Sequence, residues 1–364
     1  MTSPSARFMA VVKANGYGHG AVPVAQCALQ NGADFLGVAR IEEGKRLREA
    51  GIRAPVLIFG YCQPDSAETL IDYDLTATVF SLQTAKLLSR QASARGKSIR
   101  IHIKVDTGMG RIGLLPDVLA IGPSAPPPPP DALCGEIAQI FRLPGLEVEG
   151  IYTHFACADT ADGAYTRQQL KLFLDVTDRL LLSGIHIPIR HAANSGALIG
   201  YPETHLDMVR PGICLYGLYP SADVERNRVS LQPAMTVKAR LIQLKATPPG
   251  FKISYGATYQ TGKHTRIATV SAGYADGVNR LLSSRGQMLV RGKRAPVVGR
   301  VCMDLTLIDV GHVPDAEIGD EVVIFGRQFG AMLHVDEIAA TCGTINYEVV
   351  TGIPERVPRI YTDG

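Results

Sequence analysis

Eight short apolar runs punctuate the first 220 positions, at 8–12, 35–38, 56–59, 77–80, 101–105, 150–153, 187–191 and 206–210, and helical stretches separate them. Short, continuously apolar runs suit strands buried on both faces. The stretches between them carry helix ends: Asn31-Gly32 stops the one that begins at Ala21, Ser81 is placed to cap 82–94 ahead of Gly96, and Gly184 closes one from about Thr166 to Ser183. The alternation predicts an α/β fold, a (β/α)8 TIM-type barrel over residues 1–225. Pro126 to Pro130 fits neither helix nor sheet and is expected as an exposed, extended excursion. Past residue 230 the pattern changes: Met235, Val237, Ala239 and Leu241 alternate with Thr236, Lys238 and Arg240, and strand-like runs follow at 266–271, 288–290, 306–310 and 322–325. Residues 226–364 are therefore expected to form a mostly β C-terminal domain.

Lys plus Arg number 37 and Asp plus Glu 34, a net charge of +3, and the basic residues are scattered. Neither nucleic acid nor a membrane surface is an expected partner. The apolar runs are too short to span a bilayer, and residues 1–7 hold no hydrophobic signal segment. The seven cysteines form no CxxC pair and no metal-ligand spacing, which points to reduced thiols, a cytoplasmic location and no metal.

Polar residues gather near the C-terminal ends of the runs: Lys13; Lys104, Asp106 and Arg111; His154; His191, Asn194 and Ser195; Arg210. In a closed barrel those ends converge on one mouth, where charge is costly unless it is paired or used. Metal-assisted hydrolysis needs several neutral histidines and carboxylates, whereas the ends supply mainly cations. A dinucleotide site can be read into Gly108-Met109-Gly110-Arg111-Ile112-Gly113, but that spacing alone is a weak signal. The third option, a phosphate-bearing aldehyde cofactor held on Lys13 beside Gly16, Gly18 and Gly20, gives every group a task.

Eight segments carry a more specific signal: Val12-Lys13-Ala14-Asn15-Gly16-Tyr17-Gly18-His19-Gly20, Lys104-Val105-Asp106-Thr107-Gly108-Met109-Gly110-Arg111, His191-Ala192-Ala193-Asn194-Ser195, Arg210-Pro211-Gly212-Ile213, Ser254-Tyr255-Gly256, Gly273-Tyr274-Ala275-Asp276-Gly277, Cys302-Met303-Asp304 and Ile345-Asn346-Tyr347-Glu348. Together, and in this order, they closely resemble the alanine racemase family. The resemblance implies a pyridoxal 5′-phosphate barrel followed by a β domain, a homodimer with shared active sites, and interconversion of L- and D-alanine for peptidoglycan synthesis.

On that resemblance Lys13 is the Schiff-base lysine and one catalytic base, and Tyr255 is the other, reaching the lysine of the second subunit. Racemisation removes a proton from one face and returns it to the opposite face, which two bases satisfy directly. A phenol needs cationic or hydrogen-bonding neighbours to serve as a base, and His154 and Arg210 are the candidates. Arg210 resembles the residue facing the pyridine nitrogen, with His191 orienting it. Tyr17, Asn194, Ser195, Gly212, Ile213 and Tyr347 resemble the remaining cofactor-binding set. Arg111 and Met303 match substrate-carboxylate contacts, Lys104 a lysine often carbamylated in the family, and Tyr274 and Asp304 the entry corridor. A broader amino-acid racemase acting on serine, and a non-catalytic carrier of the cofactor, are the rival readings; the Ser254-Tyr255-Gly256 segment argues against the carrier. Family members usually carry a strand and a helix ahead of the lysine-bearing strand, whereas twelve residues precede Lys13 here. The first domain is thus expected to lack that segment, leaving apolar surface and a sheet edge exposed and folding or dimerisation weakened.

Overall fold

The computed structural model describes residues 5–119 and 131–362 of the 364. It divides into two units: one holds the residues up to Gly16 and Gly20–Leu231, the other holds Tyr17–His19 and the residues from Gln232 onward. The proline run at 126–130 lies outside the described residues.

In the first unit eight parallel strands close into a barrel in sequence order: β1 (Arg7–Val11), β2 (Phe35–Val38), β3 (Val56–Tyr61), β4 (Thr76–Val79), β5 (Ile99–Lys104), β6 (Leu146–Tyr152), β7 (Ile189–His191) and β8 (Met208–Val209). Because β1 pairs with β2 on one side and β8 on the other, the barrel has no open edge. The (β/α)8 expectation holds. Successive side chains on a strand point to opposite faces, and β1 shows the consequence. Met9 joins Phe35, Leu57, Tyr152, Ile189 and Met208 in one buried cluster, while Ala10 packs in another with Leu36, Ile58, Ala77 and Ile101. The interior is thus filled by side chains, and chemistry is confined to the strand ends.

Among the described residues, seven helices follow strands of this unit: α1 (Ala21–Gln30), α2 (Ile41–Glu49), α3 (Ala67–Asp72), α4 (Leu82–Ala94), α5 (Ala132–Phe141), α6 (Ala164–Leu182) and α7 (Ser195–Gly200). The expected Ser81 cap is present, its hydroxyl accepting from Thr84 N–H at 3.4 Å. Gly184 takes φ +78° just past α6.

The second unit is built on an antiparallel sheet ordered β14 (Lys293–Pro296), β13 (Gln287–Val290), β16 (Glu321–Gln328), β9 (Val237–Thr247), β12 (Thr265–Val270) and β15 (Thr306–Asp309), with β17 (Ala331–Leu333) paired to β16. A separate ribbon pairs β10 (Lys252–Ile253) with β11 (Tyr259–Gln260). Helices α8 (Val335–Cys342) and α9 (Asn346–Thr351) follow the last strand, so the unit is mostly β, as the sequence pattern suggests, with two helices added.

Candidate active site

Lys13 stands two residues past the end of β1, Lys104 ends β5, His154 follows β6, His191 ends β7, and Arg210 follows β8. Parallel strands bring these ends to one mouth, and the side chains feel one another. Burial lowers the pKa of the Lys13 amine and Arg111 lowers it further, against an opposing pull from Glu43. Lys104 is brought down to about 7 by burial and then by Arg210 and Arg111. His154 and His191 are held well below the usual imidazole value, first by burial and next by Arg210, so both stay neutral.

Arg210, buried and brought down to about 10 by burial, remains charged and anchors the mouth. One terminal nitrogen donates to His191 Nδ1 at 2.9 Å; the other donates to Thr153 O (2.8 Å), Ala192 O (2.9 Å) and His154 Nδ1 (3.3 Å). A guanidinium only donates, so His191 Nδ1 accepts and its proton sits on Nε2. That nitrogen lies 2.8 Å from His102 Nδ1, and His102 Nε2 lies 3.2 Å from the Glu149 carboxylate. With an obligate donor at one end and a carboxylate at the other, the order Arg210, His191, His102, Glu149 fixes both imidazole tautomers. Room for His102 comes from Gly150, where a Cβ would stand 2.6 Å from the imidazole. Tyr152 braces the set: its ring stacks on His191 with centroids 4.7 Å apart, while Lys104 Nζ and Arg210 Cζ lie 4.7 and 5.2 Å from its centroid.

Asp106 holds the loop that presents Arg111. Its carboxylate accepts from the backbone N–H groups of Gly108, Met109, Gly110 and Arg111 at 2.8–3.1 Å. Burial alone would raise its pKa, but those four amides outweigh it and leave the group lowered. Amides already filled by a carboxylate cannot cradle a phosphate, so the dinucleotide reading of this glycine spacing loses its basis. At a second corner Ser195 begins α7, its predecessor Asn194 caps that helix by accepting from Ala197 N–H at 3.0 Å, and Ser195 Oγ accepts from Gly212 and Cys214 N–H at 2.9 and 3.4 Å, which leaves the hydroxyl's own proton to donate. Ile213 starts a short 3-10 turn beside that hydroxyl.

The segment after Lys13 is a left-handed turn rather than a plain glycine loop. Ala14, Asn15, Gly16 and Tyr17 have φ of +52°, +53°, +60° and +50°, and Gly16 N–H closes the turn on Val12 O at 2.9 Å. For residues other than glycine this costs about 1–2 kcal/mol each.

Within the second unit, Tyr17 lies beside Tyr347, with ring centroids 6.1 Å apart. Gly18 is obligatory there: at φ +82°, a Cβ would come 2.0 Å from Val350 O. Tyr255 is 71% exposed on a 3-10 turn that Ser254 pins by donating to Arg300 O at 2.6 Å. The turn bearing Tyr274 is bonded to the segment bearing Met303 through Tyr274 N–H to Cys302 O and Ala275 N–H to Met303 O, each 2.9 Å. Asp304 pairs with Arg356 at 3.0 Å. The anticipated residues thus fall into a barrel-mouth group in the first unit and, in the second, the Tyr17–Tyr347 pair and a group about residues 254–304.

Residues 1–220 match the family model for the alanine racemase N-terminal domain, and residues 234–361 the model for the alanine racemase C-terminal domain. The chain belongs to the alanine racemase family. An alanine racemase of Desulfosudis oleivorans is 54% identical over 364 residues, covering 100% of this chain and 92% of that protein; one of Desulforamulus reducens is 52% identical over 361 residues, covering 99% and 93%. Among solved structures, the Bacillus anthracis alanine racemase with bound L-Ala-P superposes with TM-score 0.89 at 37% identity, over 99% of this chain and 89% of that one. The enzyme from D-cycloserine-producing Streptomyces lavendulae gives TM-score 0.89 at 38% identity, over 99% and 92%.

Alanine racemases are amino-acid racemases, a class of isomerase, and the donor set here suits an anionic cofactor. Lys13, Lys104, Arg111 and Arg210 repel one another at one mouth, while the nearby carboxylate of Asp106 is spent on backbone amides. Among the described residues, both terminal nitrogens of Arg210 are bonded inside the barrel and Nε is left over. No group of three or more His, Cys, Asp or Glu able to hold a metal occurs among the described residues. Sequence reasoning passed over Tyr152, His102, Glu149 and Glu43. Tyr152 carried a usable signal, an aromatic residue closing an apolar run one position before Thr153; His102 and Glu149 gain meaning only once β5, β6 and β7 are known to be neighbours.

Proposed function

We propose that this chain is a pyridoxal 5′-phosphate-dependent alanine racemase that interconverts L- and D-alanine in the cytoplasm, as a homodimer, and supplies D-alanine for peptidoglycan. The observation that carries the reading is the gathering of Lys13 with three further cations, Lys104, Arg111 and Arg210, and with neutral imidazoles at one barrel mouth that also carries the Ser195 hydroxyl. Lys13 is the attachment point, the Ser195–Gly212–Ile213 corner with Asn194, Tyr17 and Tyr347 the phosphate side, and Arg210 the ring-nitrogen side. The bound cofactor supplies the electron sink that makes the amino acid's α C–H acidic. Arg210 offers only N–H donors, so a nitrogen lying against it stays unprotonated.

Lys13 moves the α-proton on one face and Tyr255 of the partner subunit on the other. The exposure of Tyr255 supports a role completed by a second copy. Arg111 and the backbone of Met303 hold the substrate carboxylate, and Tyr274 and Asp304 line its path. Lys104, with its pKa near 7, is neutral often enough to take up carbon dioxide as a carbamate, which would hold Arg111 and relieve the repulsion around it.

The test is an L/D-alanine assay on the cofactor-loaded chain, with serine and lysine as comparison substrates, beside borohydride trapping and peptide mapping. We expect the label on Lys13, alanine as the preferred substrate, and a loss of at least about a hundredfold in kcat for Tyr255→Phe with visible absorbance retained. A label elsewhere in active material, or an unchanged Tyr255→Phe rate, rejects the assignment.

A further inference from the structure

The residue that aims Lys13 has to act on the turn that follows it, because the strand before it is held on both sides. That turn is left-handed, and Asn15 and Ala14 are stabilised by different means. Asn15 Oδ1 accepts from Ala21 N–H at 3.0 Å, so the asparagine ties the turn to the start of α1. Ala14 has no polar side chain, and its own N–H donates instead to Glu43 Oε1, 2.6 Å away and 29 positions along the chain.

Glu43 is the third residue of α2, a position where a glutamate ordinarily turns one oxygen back to the amide at the helix start. Oε2 does this, accepting from Arg40 N–H at 3.0 Å and from Ala39 N–H at 2.7 Å. The backward bond to the helix start is therefore made without Oε1. The second oxygen serves the lysine's turn, so one carboxylate joins the corner between β2 and α2 to the backbone immediately after Lys13.

We propose that Glu43 is a positioning residue for Lys13, holding the left-handed turn at Ala14 and so fixing where the amine at the end of β1 points. The assignment rests on Lys13 being the cofactor's attachment point. Its charge acts in the opposite sense, drawing the Lys13 amine toward its protonated form against the effects of burial and Arg111, so a loss of capture in Glu43→Gln has to come from the lost bond and not from the lost charge. A substitution at Glu43 that kept the helix cap but lost the Ala14 bond would leave the fold standing with the lysine unaimed.

The experiment uses the full chain titrated with pyridoxal 5′-phosphate, read by visible absorbance and by the borohydride label on Lys13. Glu43→Gln presents one acceptor oxygen in place of two, and we expect capture weakened about tenfold, the value of one hydrogen bond to a charged group. Adding Ala14→Gly should recover about threefold, because glycine takes φ near +52° without strain. A glutamate that merely caps α2 would lower the thermal midpoint without this recovery. Capture by Glu43→Gln within about twofold of the parent, or a loss that Ala14→Gly does not recover, overturns the proposal. Should Glu43→Gln fail to fold, hydrogen exchange at the Ala14 amide of the unaltered chain decides. Exchange about a hundredfold slower than in an open loop supports the bond, and open-loop exchange sinks it. A parent chain that captures no cofactor at Lys13 overturns the function proposed above and this role with it, whereas normal capture by both chains overturns this role alone.

Discussion

Lys104 shows how one side chain can be kept at the expense of the fold that holds it. It is 2% exposed and its pKa is brought down to about 7, so the folded chain sheds a proton that an unfolded chain keeps up to 10.5. By linkage, the stability this group allows rises with pH between those values and is lowest below 7. Lys104→Met, which keeps the volume and drops the charge, should therefore stabilise the cofactor-free chain by about 1–3 kcal/mol at pH 6 and by less at pH 9, as read from urea midpoints. A gain equal at both pH values would mean that the charge is not the cause. The residues most legible in the sequence were of this kind, polar groups at the ends of apolar runs: Lys13, Lys104, His154, His191 and Arg210 stand out because nothing about a buried strand asks for them. Glu43 was invisible because it sits on the polar face of an ordinary helix, and its second hydrogen bond depends on a turn whose handedness no local pattern announces.

Among the elements, the parallel strands were read with errors of a few residues, since a strand covered on both faces leaves a continuous apolar trace. The exception is β8, which shrinks to Met208–Val209 because Leu206 takes φ +48° and the chain turns Arg210 into the barrel. Helices α8 and α9 escaped notice inside a β-rich stretch, although His334 with Glu337 three residues on, and Gly343 at φ +68°, mark both ends of α8. Glu337 bonds His334 N–H at 2.9 Å, the reciprocal half of a capping box. Four adjacent strands, β5 to β8, also jointly make the Arg210–His191–His102–Glu149 order, which yields a prediction. Glu149→Leu strands a buried His102 proton and should cost about 1–3 kcal/mol, whereas Glu149→Gln keeps a carbonyl acceptor and should cost less. Equal losses in urea denaturation would show that the carboxylate's charge, not the order of protons, is what matters.

For the molecule as a whole, the range below pH 6.5 is the critical one. His154 and His191 are held far below the 6.5 at which an unfolded chain takes up protons, so the unfolded state binds more protons there and stability falls as the solution is acidified. The thermal midpoint of the cofactor-free chain should drop steadily from pH 7 to pH 5, and a flat profile would contradict the neutral assignment of both rings. Asp106 and Glu149, whose pKa values are lowered, act only at more acid pH. The change of texture near residue 230 was legible because a parallel barrel and an antiparallel sheet write different periodicities; which units the loops at 17–19 and 254–257 serve was not, since that depends on packing rather than period.

The missing methyl group at Gly150 also constrains how this lineage can vary. A relative with alanine or anything larger at that position has nowhere to put a ring at position 102, so the two sites should be found to change as a pair, and the glutamate at 149 to lose its reason for being acidic in the same descendants. Sequencing of distant relatives that turned up a bulky residue at 150 beside an intact histidine at 102 would require a barrel of different dimensions from this one.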